Sequence, residues 1–306
     1  MIYKYSQLKK RISYEESGRR ISKIKSENKP LHWGQLKLFL SELLFLSMYN
    51  KKPYIVLYVG AAEGTHISKL AEMFPQHKFI LYDPRKFVLN KLDNIELHNK
   101  MFTEEEASKY VKDGKNILFI SDIRILDYGE SKKNYSEESD ELVFNDMKYQ
   151  MDWVEKIKPY RALLKFRTLY TQDKFKYFDG TIYLQQYSPP STETRLLVKD
   201  YNKFKIYDAK EFDEKMAYYN CCIRPQKKSV RWEKVMDKLN LKNTLDMENM
   251  LYILEYFLVK VKGMERDKSD NEVIKLFQDV GYFFKKMNKQ KYNMLLKEDS
   301  ALKLKI

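Results

Sequence analysis

A lysine inside an apolar run is the first residue in this chain that asks for a chemical explanation. Lys165 lies in ALLKF, residues 162–166. Lysine is rarely buried unless paired or functional. Burial disfavours the charged ammonium, and a neutral amine in a dry site can act as a base. Asp122 closes another apolar run, NILFISD, and Arg124 follows closely. In open α/β sheets the carboxyl ends of strands hold the ligand. Two features upstream suit a cofactor. Gly60-x-x-x-Gly64, in GAAEGTH, directly follows the apolar run YIVLYV, and Asp83 closes KFILYD. Glycines permit a tight turn and close approach of backbone to a ligand. An acid at the end of the next strand can accept hydrogen bonds from ribose hydroxyls. The spacing is not G-x-G-x-x-G, so a dinucleotide is not indicated, whereas a nucleoside cofactor is. Each feature alone also reads as a tight turn or a surface acid; their chain spacing favours the site. Gln35 and Lys37 stand early in an apolar-periodic segment, where periodicity alone makes Lys37 a solvated lysine. Glu193 follows a Pro-Pro turn and alone reads as a surface acid.

These residues need elements to carry them. GQLKLFLSELLFLS has Leu36, Phe39, Leu40, Leu43 and Leu44 at helical spacing and predicts a helix. Strands are predicted at 54–59, 78–83, near Ile95, and at 116–122, 161–167, 181–187 and 194–201. A helix over 138–157 separates the fourth from the fifth, and 127–137 is a loop. Strands alternating with helices imply an α/β core with a mainly parallel sheet. The last two strands are too close in sequence for a helical crossover and must pair antiparallel. Residues 1–30 form a basic arm or surface helix. Beyond about residue 208 the chain is a helical extension, notably 246–262 and 271–288, with Leu254, Phe257, Leu276 and Phe284 as core candidates. The whole, 1–306, reads as one domain.

Composition narrows the function classes. Lys and Arg total 57 against 43 Asp and Glu, a net charge of +14, which makes a polyanion a natural partner. With 24 Tyr and 17 Phe there is material for a large core, and the apolar fraction of 43% excludes a disordered chain. The two cysteines are adjacent, Cys221 and Cys222, and suit neither a disulfide scaffold nor, with four histidines, a zinc cluster. No apolar run is long enough for a membrane span and the start has no signal-peptide core, so the expectation is a protein of a reducing compartment that uses no metal and no membrane.

Five blocks in order, GQLKLFLSELLFLS, YVGAAEGTHI, ILFISDIR, LLKFR and STETRLL, resemble the poxvirus cap-specific mRNA (nucleoside-2'-O-)methyltransferase family. Its members also serve as the small, stimulatory subunit of the poly(A) polymerase. The resemblance runs from Leu31 to about residue 224, more weakly through FDEKMAYYN, and only faintly at 276–288. It implies a Rossmann-like S-adenosylmethionine-dependent methyltransferase fold: a mostly parallel seven-stranded sheet with an antiparallel last strand and helices on both faces. It implies transfer of methyl from S-adenosylmethionine to the ribose 2'-hydroxyl of the first transcribed nucleotide of capped, single-stranded mRNA. Two other readings stay open: ribose methylation of uncapped RNA, or an RNA-binding subunit that stimulates a poly(A) polymerase. The resemblance also suggests the cytoplasm of an infected cell and packaging in virions.

Carried over by motif, the catalytic tetrad is Lys37, Asp122, Lys165 and Glu193, with Lys165 as base. The implied cofactor shell is Gln35, Gly60, Ala62, Gly64, Thr65, His66, Asp83, Arg85, Phe102, Ile123 and Arg124. For the cap, the family pattern implies Tyr170 as one stacking ring. The second ring's position holds Pro190, with Tyr187 three residues back as substitute. Asp213 and Gln172 fall on the acids that read the guanine edge, Gln172 without a negative charge. Arg124, Lys132, Lys133, Arg167 and Lys174 are candidates for the RNA backbone.

Overall fold

In a computed structural model, the structure describes residues 3–24, 31–90, 92–124, 137–226, 230–266 and 269–295. Its centre is a seven-stranded sheet. The strands in chain order are β1 (Ile55–Val59), β2 (Lys78–Tyr82), β3 (Ile95–His98), β4 (Ile117–Ser121) and β5 (Arg161–Phe166). After a separate strand β6 (Lys174–Phe178) come β7 (Thr181–Tyr183) and β8 (Thr194–Val198), and β9 (Phe204–Asp208) follows. The spatial order is β3-β2-β1-β4-β5-β8-β7. β1 to β5 are mutually parallel, and β8 runs antiparallel between β5 and β7. This is the Rossmann-like methyltransferase arrangement that the sequence led us to expect.

The apolar runs of the strands follow from burial on both faces. Val56, Tyr58, Phe79, Leu81, Leu118, Ile120 and Leu163 enter one core. Their neighbours Leu57, Val59, Ile80, Tyr82, Phe119, Ala162 and Leu164 enter the other. In chain order the helices begin with α1 (Tyr14–Lys23), α2 (Gly34–Met48) and α3 (Thr65–Met73). α4 (Glu104–Ser108) and α5 (Glu137–Ile157) precede β4 and β5, and α6 (Ala209–Tyr218), α7 (Glu233–Lys238), α8 (Leu245–Val261), α9 (Asp270–Met287) and α10 (Lys289–Leu295) follow β9. Residues of α2, α3, α8 and α9 fill the first core, and residues of α4, α5 and α6 the second. Leu254, Phe257 and Phe284 are buried as expected, while Leu276 is only half-buried and Phe277 takes the inward position. The C-terminal helices thus contribute a large part of one core.

Two local expectations change. The strand expected over 181–187 stops at Tyr183, and 184–193 becomes a mostly buried irregular segment; Pro189 and Pro190 have no N–H to give a ladder. β6 and β9 form a two-stranded sheet that was not anticipated, although KFKYF carries the sign of it: Lys174 and Lys176 are exposed, Phe175 and Tyr177 buried. Of the two readings of the basic arm, its described part takes that of a surface helix over Tyr14–Lys23. Ser13 caps α1 by accepting from Glu16 N–H at 3.2 Å, and Ser17 donates to Ala217 O at 3.3 Å. Cys221 and Cys222 are free thiols in a π-helical turn, Tyr219–Ile223, that follows α6.

Candidate active site

The chain turns back from β3 to β4, so loops after β1 and β4 diverge at one point of the sheet, where open α/β folds take their ligands. Asp122 is held there by its N–H, which donates to Val59 O at 3.0 Å. Gly60 lies directly over it with φ +81°; a Cβ on Gly60 would sit 2.8 Å from the Asp122 carbonyl and Ile123 N. The glycine is required by this close approach.

Lys165 stands one residue beyond the last β4–β5 pair. Its backbone, left without a parallel partner there, is clamped by Gln150 of α5, which accepts from Lys165 N–H and donates to Lys165 O, both at 3.1 Å. The side chain points to the carboxyl end of the sheet, where Nζ lies 3.2 Å from Asp122 Oδ1 and 3.9 Å from Glu193 Oε2. Lys37, from the first turn of α2, donates to Glu193 Oε1. Four side chains from four segments therefore form one chain of contacts, Lys37–Glu193–Lys165–Asp122. Lys165 is the more open of the two lysines, 18% exposed against 10%.

Arg195 completes the cluster and was missed. It lies opposite Lys165 in the β5–β8 ladder, is buried, and donates to Asp122 Oδ1 at 2.7 Å. The signal was present: a charged residue inside TRLLV, the same anomaly that singled out Lys165. Arg124 reaches Glu193 Oε2 at 3.3 Å from the solvent side. Four basic side chains thus surround two carboxylates, an excess suited to an anionic partner. Burial works to raise the Asp122 and Glu193 pKa values, but Lys165, Lys37 and Arg195 outweigh it. Asp122 is held well below the usual carboxylate range, and Glu193 is brought down to about 2. Desolvation lowers the pKa of Lys37, with Glu193 opposing it.

On the other side of Gly60, Asp83 anchors the glycine loop. It accepts from Ala62 N–H at 3.0 Å and Arg85 N–H at 2.9 Å, and the largely exposed Arg85 guanidinium lies on both its oxygens. Gly64 has φ +73° and precedes α3; it is buried, and a Cβ there would meet Leu89 and Phe87, so the glycine lets the loop turn tightly into the helix. Gln35 accepts from the Thr65 hydroxyl at 2.9 Å and lies 2.9 Å from His66 Nδ1. His66 also faces Glu42 at 3.0 Å, and Glu42 accepts from the Tyr58 hydroxyl at 2.7 Å. This buried network ties the glycine loop to α2. Phe102 is buried edge-on to Tyr82 and Trp153, and Ile123 is buried beside Asp122, so both support this edge from within.

On the substrate side, the Tyr170 ring is 52% exposed and its hydroxyl lies 3.0 Å from Thr192 Oγ1. Arg167 stands 5.4 Å from the centre of that ring and pairs with Asp140 at 2.9 Å. Asp140 also accepts from the Tyr170 and Thr171 amides, fixing the loop after β5; sequence reasoning missed it. Gln172 and Asp213 are half-buried, and burial raises the Asp213 pKa. Pro190 and Lys174 are exposed. Tyr187 does not serve as a second ring. It is a core residue whose hydroxyl contacts the sulfurs of Met247 and Met250, because the turn after β7 directs it inward. Lys132 and Lys133 lie outside the described residues.

The sequence profile of the family described as "Poly A polymerase regulatory subunit" matches residues 1–287. The chain belongs to the poly(A) polymerase regulatory subunit family. Two relatives of this family member are named cap-specific mRNA (nucleoside-2'-O-)-methyltransferase, from the Lausanne and Uriarra strains of myxoma virus. Each is 28% identical over 213 residues, covering 63% of this chain and 62% of the relative. The match thus spans less than two thirds of their length. A solved putative ribosomal RNA methyltransferase from Plasmodium falciparum overlaps 54% of this chain and 95% of its own at 16% identity, with a TM-score of 0.34, too loose a likeness to add to the argument. Among the described residues of this regulatory-subunit family member, no group of three His, Cys, Asp or Glu side chains gathers as a metal site.

Proposed function

We propose that this protein is a cap-specific mRNA 2'-O-methyltransferase that uses S-adenosylmethionine and works in the cytoplasm of an infected cell. The observation that carries the reading is the convergence of Lys37, Asp122, Lys165 and Glu193. Their positions along the chain are far apart, and a structural account of one buried and one half-buried lysine meeting two acids at the ligand end of the sheet is hard to supply otherwise.

The residues fit a nucleoside cofactor. A glycine loop is tied by Ala62 N–H to a strand-end acid, and the exposed Arg85 guanidinium can yield to a diol at Asp83. Gln35, Gly60, Ala62, Gly64, Thr65, His66, Asp83, Arg85, Phe102, Ile123 and Arg124 would hold or frame it. When bound, S-adenosylmethionine supplies an electrophilic methyl on sulfonium sulfur. The protein's part is to place the ribose hydroxyl. Lys165, the lysine open to the mouth, would accept the proton that the 2'-hydroxyl gives up on methylation. Asp122 and Glu193 stay ionised and hold Lys165 in place, and Lys37 and Arg195 hold the acids. Alignment is the larger share of such a displacement. Tyr170, Gln172, Asp213 and Arg167 line the cap side. Tyr170 offers a half-exposed face to a cationic base.

The reading is tested by methyl transfer from labelled S-adenosylmethionine to RNA with an N7-methylated cap, an unmethylated cap or no cap. Label on the first transcribed ribose of capped RNA alone supports it. Label independent of the cap favours ribose methylation of RNA in general. The family description favours a second role, as the RNA-binding stimulatory subunit of a poly(A) polymerase. RNA binding without transfer would leave that role standing alone.

A further inference from the structure

The ion pair between Lys37 and Glu193 joins two segments that have no ladder between them, and both segments lead to one buried anchor. The Arg224 side chain is wholly buried, and its partner Asp246 stands in the first turn of α8. Arg224 donates to Asp246 from Nε at 3.2 Å and from Nη2 at 2.6 Å. It also donates to Ser188 O at 3.1 Å and Asn220 Oδ1 at 3.0 Å. Asn220 then donates from Nδ2 to Ser191 O at 3.1 Å, two residues before Glu193. Ser191 Oγ accepts from Glu193 N–H at 3.3 Å. The second route runs through Tyr187. Its N–H donates to Asp246 Oδ2 at 3.3 Å, and its carbonyl accepts at 2.8 Å from Trp33 N–H, at the start of the helix that carries Lys37.

We infer that Arg224, Asp246 and Asn220 form a positioning clamp that sets Glu193 against Lys37. A buried charge pair is weak evidence for stability, because desolvation offsets the attraction. What this pair does have is direction. The planar fork of one guanidinium spans three groups, which a lysine cannot reproduce. Tyr187 is held at φ +53°, a strained conformation for a bulky residue, which persists only where surroundings over-determine it. Both its backbone hydrogen-bonding groups serve the second route. The clamp also places the N-terminus of α8 in contact with the catalytic segment, so the C-terminal helices bear on the geometry of the site.

The catalytic consequence rests on the proposed function; the structural one does not, and the test separates them. Asn220→Ala cuts the links to Ser191 and to Arg224 Nη1 while leaving the Arg224–Asp246 pair, and Arg224→Lys keeps the charge but loses the fork. Amide hydrogen exchange of residues 187–194 is measured in both, alongside that of the glycine loop, 60–66. Exchange at 187–194 should quicken about tenfold, the effect of one lost hydrogen bond, with 60–66 unchanged. In the methyl-transfer assay kcat should fall about tenfold or more with S-adenosylmethionine affinity and the KM for RNA nearly constant. A merely structural role would instead lower the melting temperature and leave kcat per folded molecule intact. Unchanged exchange at 187–194 overturns the clamp even if the wild type transfers no methyl. Quickened exchange with unchanged kcat overturns its catalytic role.

Discussion

Lys165 and Arg195 face each other across the antiparallel β5–β8 ladder, and both reach the same oxygen, Asp122 Oδ1, at 3.2 and 2.7 Å. Like charges directly opposite in a sheet are normally unfavourable. Here a carboxylate from the neighbouring strand end stands between them, and a second, Glu193, lies 3.9 Å from each. The division of labour follows from exposure. Arg195 is almost wholly buried and is spoken for by the acids, whereas Lys165 opens to the mouth.

Removing Arg195 should therefore act first on the acids. Arg195→Leu leaves Asp122 with Lys165 as its close partner and should cost about 3 kcal/mol, as for breaking a buried pair. Urea denaturation measures this. A loss below about 1 kcal/mol would mean the Arg195–Asp122 bond is not formed in solution.

Gly60→Ala should be far worse than its size suggests. The new Cβ meets backbone of Asp122 and Ile123, not a movable side chain, and φ +81° is strained for alanine. Strain of about 1–2 kcal/mol for the left-handed conformation adds to the displacement of Asp122. Methyl transfer and cofactor affinity should both collapse. Near-normal cofactor affinity in the folded variant would show that the loop crest is not where the cofactor sits.

A pH effect on stability is expected from His77, distant from the tetrad. Burial lowers its pKa to about 4 from 6.5, while its Nδ1 accepts from Tyr54 N–H at 3.2 Å. The folded protein thus keeps the neutral ring where the unfolded chain is protonated. Its stabilisation is full above about pH 6.5 and is lost as pH falls toward 4, about 3 kcal/mol in all. Denaturation between pH 7 and 4, compared with His77→Asn, which keeps an acceptor for Tyr54, isolates it. Equal pH slopes for the two proteins would contradict the assignment.

Much of this was legible in the sequence because burial on both sheet faces writes long apolar runs, and charged residues inside them stand out. Lys165 was visible for that reason, and Gly60 and Asp83 by their places after strands. Lys37 was not: it reads as the solvated face of an amphipathic helix, whereas α2 is enclosed on nearly all sides and has no exposed face. Glu193 sits in an irregular segment, where its partner across 156 residues leaves no local sign. Tyr187 failed as a stacking ring because a left-handed backbone turned it into the core, and sequence patterns do not mark that in a tyrosine. Arg224 and Asp246, each plausible as a surface charge, are buried only because they meet.

RNA binding should be strongly salt-dependent. Each phosphate neutralised contributes about −0.7 to the slope of log K against log salt for single strands. Lys174→Ala, at an exposed position on β6, should reduce that slope by about 0.7 with little effect on base preference. An unchanged slope would remove Lys174 from the RNA path.

The central claim is that Lys165 is the base of a ribose methyltransferase. Single-turnover methyl transfer to a short capped RNA, wild type against Lys165→Ala, with cofactor and RNA affinities measured on the same proteins, tests it most directly. The account predicts label on the first transcribed ribose and a loss of about 10²- to 10⁴-fold in rate in the variant, the contribution of a general base, at unchanged affinities. Transfer by Lys165→Ala at the wild-type rate would contradict it, as would a methyl group found on a base.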